Sequence, residues 1–423
     1  MIKLRMRRIL LAGILIGSPY LQAMDNFHFY RAGYFPGEPR LERPWLTSLN
    51  ASFGAGSTCT SFNRCGEKTC LLNLYGPFNM QLLGEGVPNK STTNPVDITL
   101  INLALLPERD GFGQLLFEGH FSIKEAMIWF TQNLSYGFFF EVNFPIRSLE
   151  INNIDFKDLS PHDDITPNIN TPVWQTFLNL FPQVLARYNL VLENVHRRGV
   201  GDTVVLLGWT HNFQETELID YVDTTFKLGV LAPSGKVKNP SIIFDLPLGY
   251  DGHVGAPIEF DGSFGCFDWL TVGAGAGGII FGKKTKKLHM KTNVNQNGYI
   301  KLAEGLASVK KGNLWYADAY FKADHFCRGL SFLIGYSFVR ENPDIIRPCN
   351  TQVFDEMIVD SDQMFKKWQM HTIHLWAEYD FTQEWMWVGP HISAFYNRQI
   401  AGKRTFNTSL GGGMFGVDIA WAF

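Results

Sequence analysis

Past residue 23 the chain has no apolar run approaching the ~18–20 uninterrupted residues that a membrane-spanning helix needs. If it sits in a membrane, it crosses as strands. Charge is scarce too. Asp, Glu, Lys and Arg make up 18% of the 423 residues, against roughly 25% in ordinary globular proteins. A formal net charge of −3 offers no basic surface, which argues against nucleic acid as a partner. There are only six cysteines. Cys59, Cys65 and Cys70 cluster in one polar, glycine-containing segment, while Cys266, Cys327 and Cys349 are scattered. A zinc site wants four closely spaced ligands, and no histidine stands near the cluster. In an oxidising compartment a pair among the first three would staple an exposed loop, with the connectivity open. No cofactor is implied.

Rings and glycine are what the chain has in quantity. It is 14% aromatic, and its 40 glycines suit turns and sheets better than helices. At the N-terminus Lys3, Arg5, Arg7 and Arg8 precede an apolar stretch from Ile9 to Ile16 and the small-residue site Leu21-Gln22-Ala23. That pattern predicts a secretory signal peptide over residues 1–23. Residues 24–44 are rich in proline and glycine and read as an irregular lead-in to one domain over 45–423.

The most regular stretch is the last. From Gly411 one parity reads Gly411, Gly413, Phe415, Val417, Ile419, Trp421, Phe423; the other reads Gly412, Met414, Gly416, Asp418, Ala420, Ala422. Strict period two with one apolar side is a strand between two different environments. A soluble edge strand would not end on an unprotected Trp-x-Phe, whereas a strand with lipid outside and water inside would. A terminal Phe preceded by an aromatic two residues earlier resembles the insertion signal of bacterial outer-membrane β-barrels. That resemblance implies an outer-membrane location, lipid contact, and recognition of the last strand by the barrel-assembly machinery.

Strand patterns recur over 45–54, 112–123, 134–156, 202–214, 220–231, 254–267, 269–282, 314–325, 328–340, 368–381, 384–397 and 410–423. The connections alternate in length. Long ones, 55–111, 157–201, 232–253, 283–313, 341–367 and 398–409, are separated by short ones at 124–133, 215–219, 268, 326–327 and 382–383. Short periplasmic turns and long outer loops are the habit of outer-membrane barrels. The expectation is an all-β fold, a transmembrane antiparallel barrel of about twelve strands. One insertion reads as a helix: Thr171 can cap, Pro172 suits the first turn, and Val173, Trp174, Phe177, Leu178, Phe181, Val184, Leu185 and Tyr188 recur at helical spacing. Pro182 should kink or split it. The helix reads as packing for a loop rather than as a lid.

Alternation also assigns faces, because a lysine or arginine on the lipid face at mid-bilayer costs ~2–4 kcal/mol. The polar parity, placed in the lumen, contains Glu118 and His120; Asp223 and Lys227; Asp318, Tyr320 and Lys322; His374, Trp376 and Glu378; and His391 and Ser393. Both charge signs with several rings make a lining that does not select strongly by charge. Three constellations need weighing for chemistry. Gly273-Ala274-Gly275-Ala276-Gly277-Gly278 contains a formal G-x-G-x-x-G, but it runs on into a strand instead of opening a helix, so it reads as close packing or reduced lumen bulk. His391-Ile392-Ser393 resembles the catalytic pair of outer-membrane phospholipases, yet that family presents the pair to lipid and here both residues point inward. His374, Glu378 and His391 could hold a metal on one face, but scattered polar lining explains them equally and no metal is expected.

From Gly199 to Phe281 the chain resembles the outer-membrane family linked to meta-pathway phenol degradation, related to FadL-type hydrophobic-compound channels. Gly199-Val200-Gly201-Asp202 opens a strand, Gly229-Val230-Leu231-Ala232-Pro233-Ser234-Gly235 closes the next, and Gly249 and the glycine-rich strand follow. The FadL-type hatch carries an early Asn-Pro-Ala; this chain has Asn94-Pro95-Val96 and Asn239-Pro240-Ser241. The resemblance implies uptake of small compounds, aromatic ones among them. The expected function is passive passage of small molecules through a polar lumen without catalysis. A structural or adhesive barrel with a plugged lumen is the alternative, and a lipid hydrolase the more distant one.

Overall fold

The computed structural model describes residues 46–420 apart from 77, 87–90, 107–111, 161–170, 215–219, 268, 297, 328, 382–386 and 408. The signal peptide, the lead-in and the terminal Trp421 and Phe423 lie outside the described residues. Twelve strands make the frame: β1 (Leu46–Thr58), β2 (Gln114–Asn133), β3 (Phe138–Asp158), β4 (Thr203–Gln214), β5 (Tyr221–Ala232), β6 (Gly255–Cys266), β7 (Leu270–Phe281), β8 (Leu314–Cys327), β9 (Leu330–Glu341), β10 (Trp368–Asp380), β11 (Val388–Lys403) and β12 (Ser409–Ala420). Each pairs antiparallel with the next, and β12 returns to β1 in a register running from Leu46↔Ala420 to Ala55↔Gly411. The sheet is therefore a closed barrel, which leaves no unpaired edge.

Register turns the sequence alternation into a belt. Leu49 stands opposite Phe130 and Val417, Phe130 opposite Val142, Val142 opposite Val205, and Val205 opposite Val230. Phe53, Leu207, Leu228, Phe260, Phe321, Ile334 and Phe415 are among the large apolar side chains exposed around the outside. At the short-turn end, Tyr136, Phe267, Trp269 and Trp387 are exposed as well. An apolar band with a ring of aromatics at its margin fits lipid on the outside.

Two boundaries differ from expectation. The connection expected at 124–133 is strand, because β2 continues to Asn133 and the turn falls at 134–137. Lys124-Glu125 interrupts the apolar pattern, but Glu125 faces inward, where the guanidinium of Arg147 neutralises it. Likewise β11 runs on to Lys403, past a register shift opposite His371 and Thr372. At ~3.3 Å per residue, the 20 and 21 residues of β2 and β3 rise well beyond the belt as a tall hairpin.

The long connections fold together over the outer mouth. They contribute α1 (Pro95–Ala104), α2 (Thr171–Arg187), α3 (Glu356–Asp360) and a three-stranded sheet of Lys283–Met290, Ala303–Lys310 and Ile345–Pro348. Asn94 caps α1 by accepting from the Val96 N–H at 2.9 Å, and Pro95 occupies its first turn. In α2 the expected apolar face is buried through Trp174, Phe177, Phe181, Val184 and Leu185. Pro182 does not split the helix. It lies on the exposed side, where water can satisfy the carbonyl that proline leaves unpaired.

The two helices are locked by Asp97. Its carboxylate accepts from Arg187 Nε and Nη2, both at 2.8 Å, and from the Tyr188 hydroxyl at 2.9 Å. Arg187 holds the Asp97 carboxyl well below the usual carboxylate range, against the effect of burial. A depressed pKa contributes stability that is complete above the unfolded value near ~3.9 and is lost only as pH falls through the folded one. The clamp should therefore stay closed in mild acid. Asp97→Asn should open it, raising protease cleavage of the α1–α2 region on intact cells several-fold at neutral pH. Unchanged cleavage would mean that apolar packing alone holds the helices.

Candidate functional site: the inner wall and its cap

Inward-facing parity on the barrel strands is polar over the belt and apolar near the outer mouth. The most heavily charged point is Lys227 on β5, 3.6 Å from Glu141 on β3 and 3.4 Å from Glu259 on β6, with all three side chains nearly inaccessible. Glu141 and Glu259 were not singled out from sequence. Each stands between apolar residues (Phe140 and Val142, Ile258 and Phe260), so the same alternation could have found them.

Of the sequence-selected residues, Asp223, Lys227, Asp318, Tyr320, Lys322, His374, Trp376, Glu378, His391 and Ser393 carry inward parity. Asp223 accepts from Asn212 at 2.5 Å. His374 lies 2.7 Å from Asn397 Oδ1 through Nδ1 and 2.7 Å from Ser337 Oγ through Nε2. His391 Nε2 is 2.8 Å from Asn50 Oδ1. Both histidines are thus engaged by neutral partners, and no metal-binding cluster occurs among the described residues.

Glu118 and His120 are the correction. The parity of β2 that is buried is the other one, with Leu115, Phe117, Phe121 and Ile123 inside. At this height the interior holds the apolar cap rather than water, so the hydrophobic rule for faces is inverted. Glu118 is instead paired with Lys157 at 2.6 Å on the outer face. The expected loop disulfide is also absent: Cys59, Cys65 and Cys70 are thiols. The hairpin of Thr60–Phe62 and Lys68–Cys70 holds Cys59 Sγ 3.1 Å from His120 Nδ1 and turns Cys70 toward Glu118.

Glycines shape the wall. Tyr320 stands opposite Gly273, Tyr316 opposite Gly277, Tyr221 opposite Gly265 and His391 opposite Gly416. In each pair the large side chain lies flat in the space a Cβ would take; one on Gly273 would come within 2.2 Å of the Tyr320 ring. The Gly273–Gly278 run is therefore a bed for neighbouring side chains, in keeping with its position inside β7. His391 and Ser393 do not form a nucleophile and base, since Ser393 Oγ and His391 Nδ1 are buried without a protein partner.

Above this wall sits the cap. Phe78, Phe117, Phe244 and Tyr299 meet ring to ring, with centroids 4.7 Å apart for Phe78–Phe117, 5.4 Å for Phe117–Phe244 and 5.1 Å for Phe244–Tyr299. This cluster merges with inward residues of the upper barrel, including Leu206, Ile279, Leu314 and Val339. The segments that carry the family resemblance form one clamp beside it. The Asp202 carboxylate accepts from the Gly235 N–H at 2.8 Å and the Tyr250 N–H at 2.6 Å. Ser234 Oγ donates to the Gly201 carbonyl at 2.7 Å and accepts from the Thr203 N–H at 2.9 Å. Gly249 has to be glycine, because a Cβ would fall 2.2 Å from that carboxylate. Burial pushes the Asp202 carboxyl above its ordinary range.

No family model matches the chain, and no curated protein sequence does either. Among solved structures, an outer-membrane channel from Pseudomonas putida F1 is similar at a TM-score of 0.50 and 9% identity, covering 91% of this chain and 100% of that one. This chain has the fold of an outer-membrane β-barrel. The translocator domain of the autotransporter NalP from Neisseria meningitidis gives a TM-score of 0.35 at 9% identity, covering 90% of each chain. The CymD monoaromatic hydrocarbon channel gives 0.32 at 8% identity, covering 95% of each. At these identities the likeness is one of fold alone.

Proposed function

We propose that the protein is an outer-membrane channel for passive uptake of small molecules, with the inward residues from Asp223 to Ser393 named above as its lining. The observation that carries this reading is the glycine-bedded wall. Barrels of eight strands are filled by their own side chains, and those of 16–18 strands leave an aqueous channel. At twelve strands the placement of side chains decides. Here Tyr221, Tyr316, Tyr320 and His391 lie along the wall against glycines of the neighbouring strands. The channel fold of the Pseudomonas putida protein is consistent with this reading. In it, the cap is the restriction, and displacement of the cap admits the solute.

The apolar core across the mouth favours a second reading, a plugged barrel whose outer loops serve adhesion or structure. Current through a planar lipid bilayer separates the two. The channel reading expects discrete conductance steps, with the open fraction raised by Asp97→Asn. Silence from both the unaltered protein and this variant would favour the plugged barrel.

A further inference from the structure

Within the cap lies a cavity of about 370 Å³. The strand Lys283–Met290 and the 233–254 connection bound it, and its floor is the barrel rim, where Glu341 and Trp368 stand opposite each other. Rings of Tyr75, Tyr250, Tyr299 and Phe365 form much of its wall, with Tyr75 and Tyr299 4.9 Å apart.

Positive charge is in surplus there. Six lysines line the cavity against four carboxylates, and the carboxylates are already engaged. Arg197 holds Asp245, Lys286 pairs with Asp251, Lys311 lies 2.9 Å from Glu341, and Asp344 accepts from the Gly312 N–H at 2.7 Å. Burial alone would lower Lys311, but Glu341 and Asp344 hold it above its ordinary value, so that lysine stays charged and committed. Lys284 and Lys366 are half-buried and have no carboxylate partner among the described residues. The Lys284 ammonium is placed by Gly252, whose φ is +76°: a Cβ there would fall 2.0 Å from Lys284 Nζ. The neighbouring residue is His253.

His253 supplies the second requirement. It is 1% exposed, and its Nδ1 lies 3.0 Å from the Gly282 carbonyl, an arrangement in which the ring N–H donates. Burial, helped by Lys286 and Lys311, pushes its pKa down to about 4, so the ring is neutral at physiological pH. With Nδ1 protonated, Nε2 is an acceptor, and it is buried without a partner. A buried acceptor with nothing donating to it is a cost that a ligand hydroxyl would remove.

We propose that this cavity binds a small aromatic anion carrying both a carboxylate and a hydroxyl, with Lys284 and Lys366 taking the carboxylate and His253 Nε2 accepting from the hydroxyl. The tyrosine walls suit a flat ring between the two polar ends. That such a compound is also the solute rests on the channel reading; the binding does not.

Calorimetric titration of the full-length protein, folded in detergent micelles, tests the assignment. The probes are 4-hydroxybenzoate, benzoate, phenol and benzylamine. The hydroxybenzoate should bind at least tenfold more tightly than benzoate or phenol, and benzylamine should not bind. Lys284→Gln with Lys366→Gln should weaken both carboxylates while leaving phenol unchanged. His253→Phe should reduce the hydroxybenzoate to the benzoate level and leave benzoate unchanged. If His253→Phe does not fold, the lysine pair still decides. No binding of the hydroxybenzoate, equal binding of benzylamine, or indifference to the lysine changes would overturn the proposal. Conductance recorded on the same preparation keeps the two readings apart: binding without current would end the channel reading only, and current without binding would end this one only.

Discussion

Replacing Lys227 with methionine should destabilise the barrel by about 3–5 kcal/mol, the usual cost of removing one partner from a buried ionic group. Lys227 lies between Glu141 at 3.6 Å and Glu259 at 3.4 Å, and neither carboxylate has much access to water. Methionine keeps most of the volume and removes the charge, so the loss is electrostatic rather than a cavity. Two like charges would then face each other across β4 and β5 with their repulsion unrelieved. Urea unfolding in lipid vesicles, followed by the heat-dependent gel shift of folded barrels, measures the effect. Adding Glu141→Gln and Glu259→Gln to Lys227→Met should recover most of the stability, because the charges that needed neutralising are gone. An unfolding midpoint equal to that of the unaltered protein for Lys227→Met alone would show that water already screens the triad.

Twelve strands were legible because period two is a local signal that lipid on one side enforces residue by residue. The outer cap was not. Phe78, Phe244 and Tyr299 come from three separate connections, and no periodicity marks apolar residues that meet only in the fold. Misreading the cap produced the misplacement of Glu118 and His120. The rule that charges face inward holds where the interior is polar, and at the height of Phe117 and Phe121 the interior is an apolar core. Lys124-Glu125 misled for a related reason: an inward glutamate neutralised by Arg147 is invisible until β3 is set beside β2. The glycines of β7 were rightly read as close packing, but what packs there (Tyr316 and Tyr320) depends on register with β8, which sequence does not print. The cavity around His253 shows the same limit. Its lysines are conspicuous in the sequence, but their separation into paired and unpaired ones comes from Asp251, Glu341 and Glu304 in three different segments.

Asp318→Lys and Ala319→Lys should have opposite outcomes although the two residues are adjacent. On β8, Asp318 stands opposite Gly275 and Ser337 on the inward parity, and Ala319 stands opposite Ala274 and Tyr336 on the outward one. Trp315 and Phe321 flank Ala319 on the same exposed row. A lysine at 319 therefore meets lipid near the middle of a spanning strand, where the cost is ~2–4 kcal/mol. Folded, heat-modifiable protein in the outer membrane should fall sharply. Asp318→Lys replaces a charge on the wall with its opposite, so folding should be nearly unchanged. Under the channel reading it should shift ion selectivity toward anions, as measured by the reversal potential across a salt gradient. If Ala319→Lys folds normally and Asp318→Lys does not, the faces of β8 are reversed. If both fold as expected but Asp318→Lys leaves a conducting barrel with the same reversal potential, current does not pass along this wall.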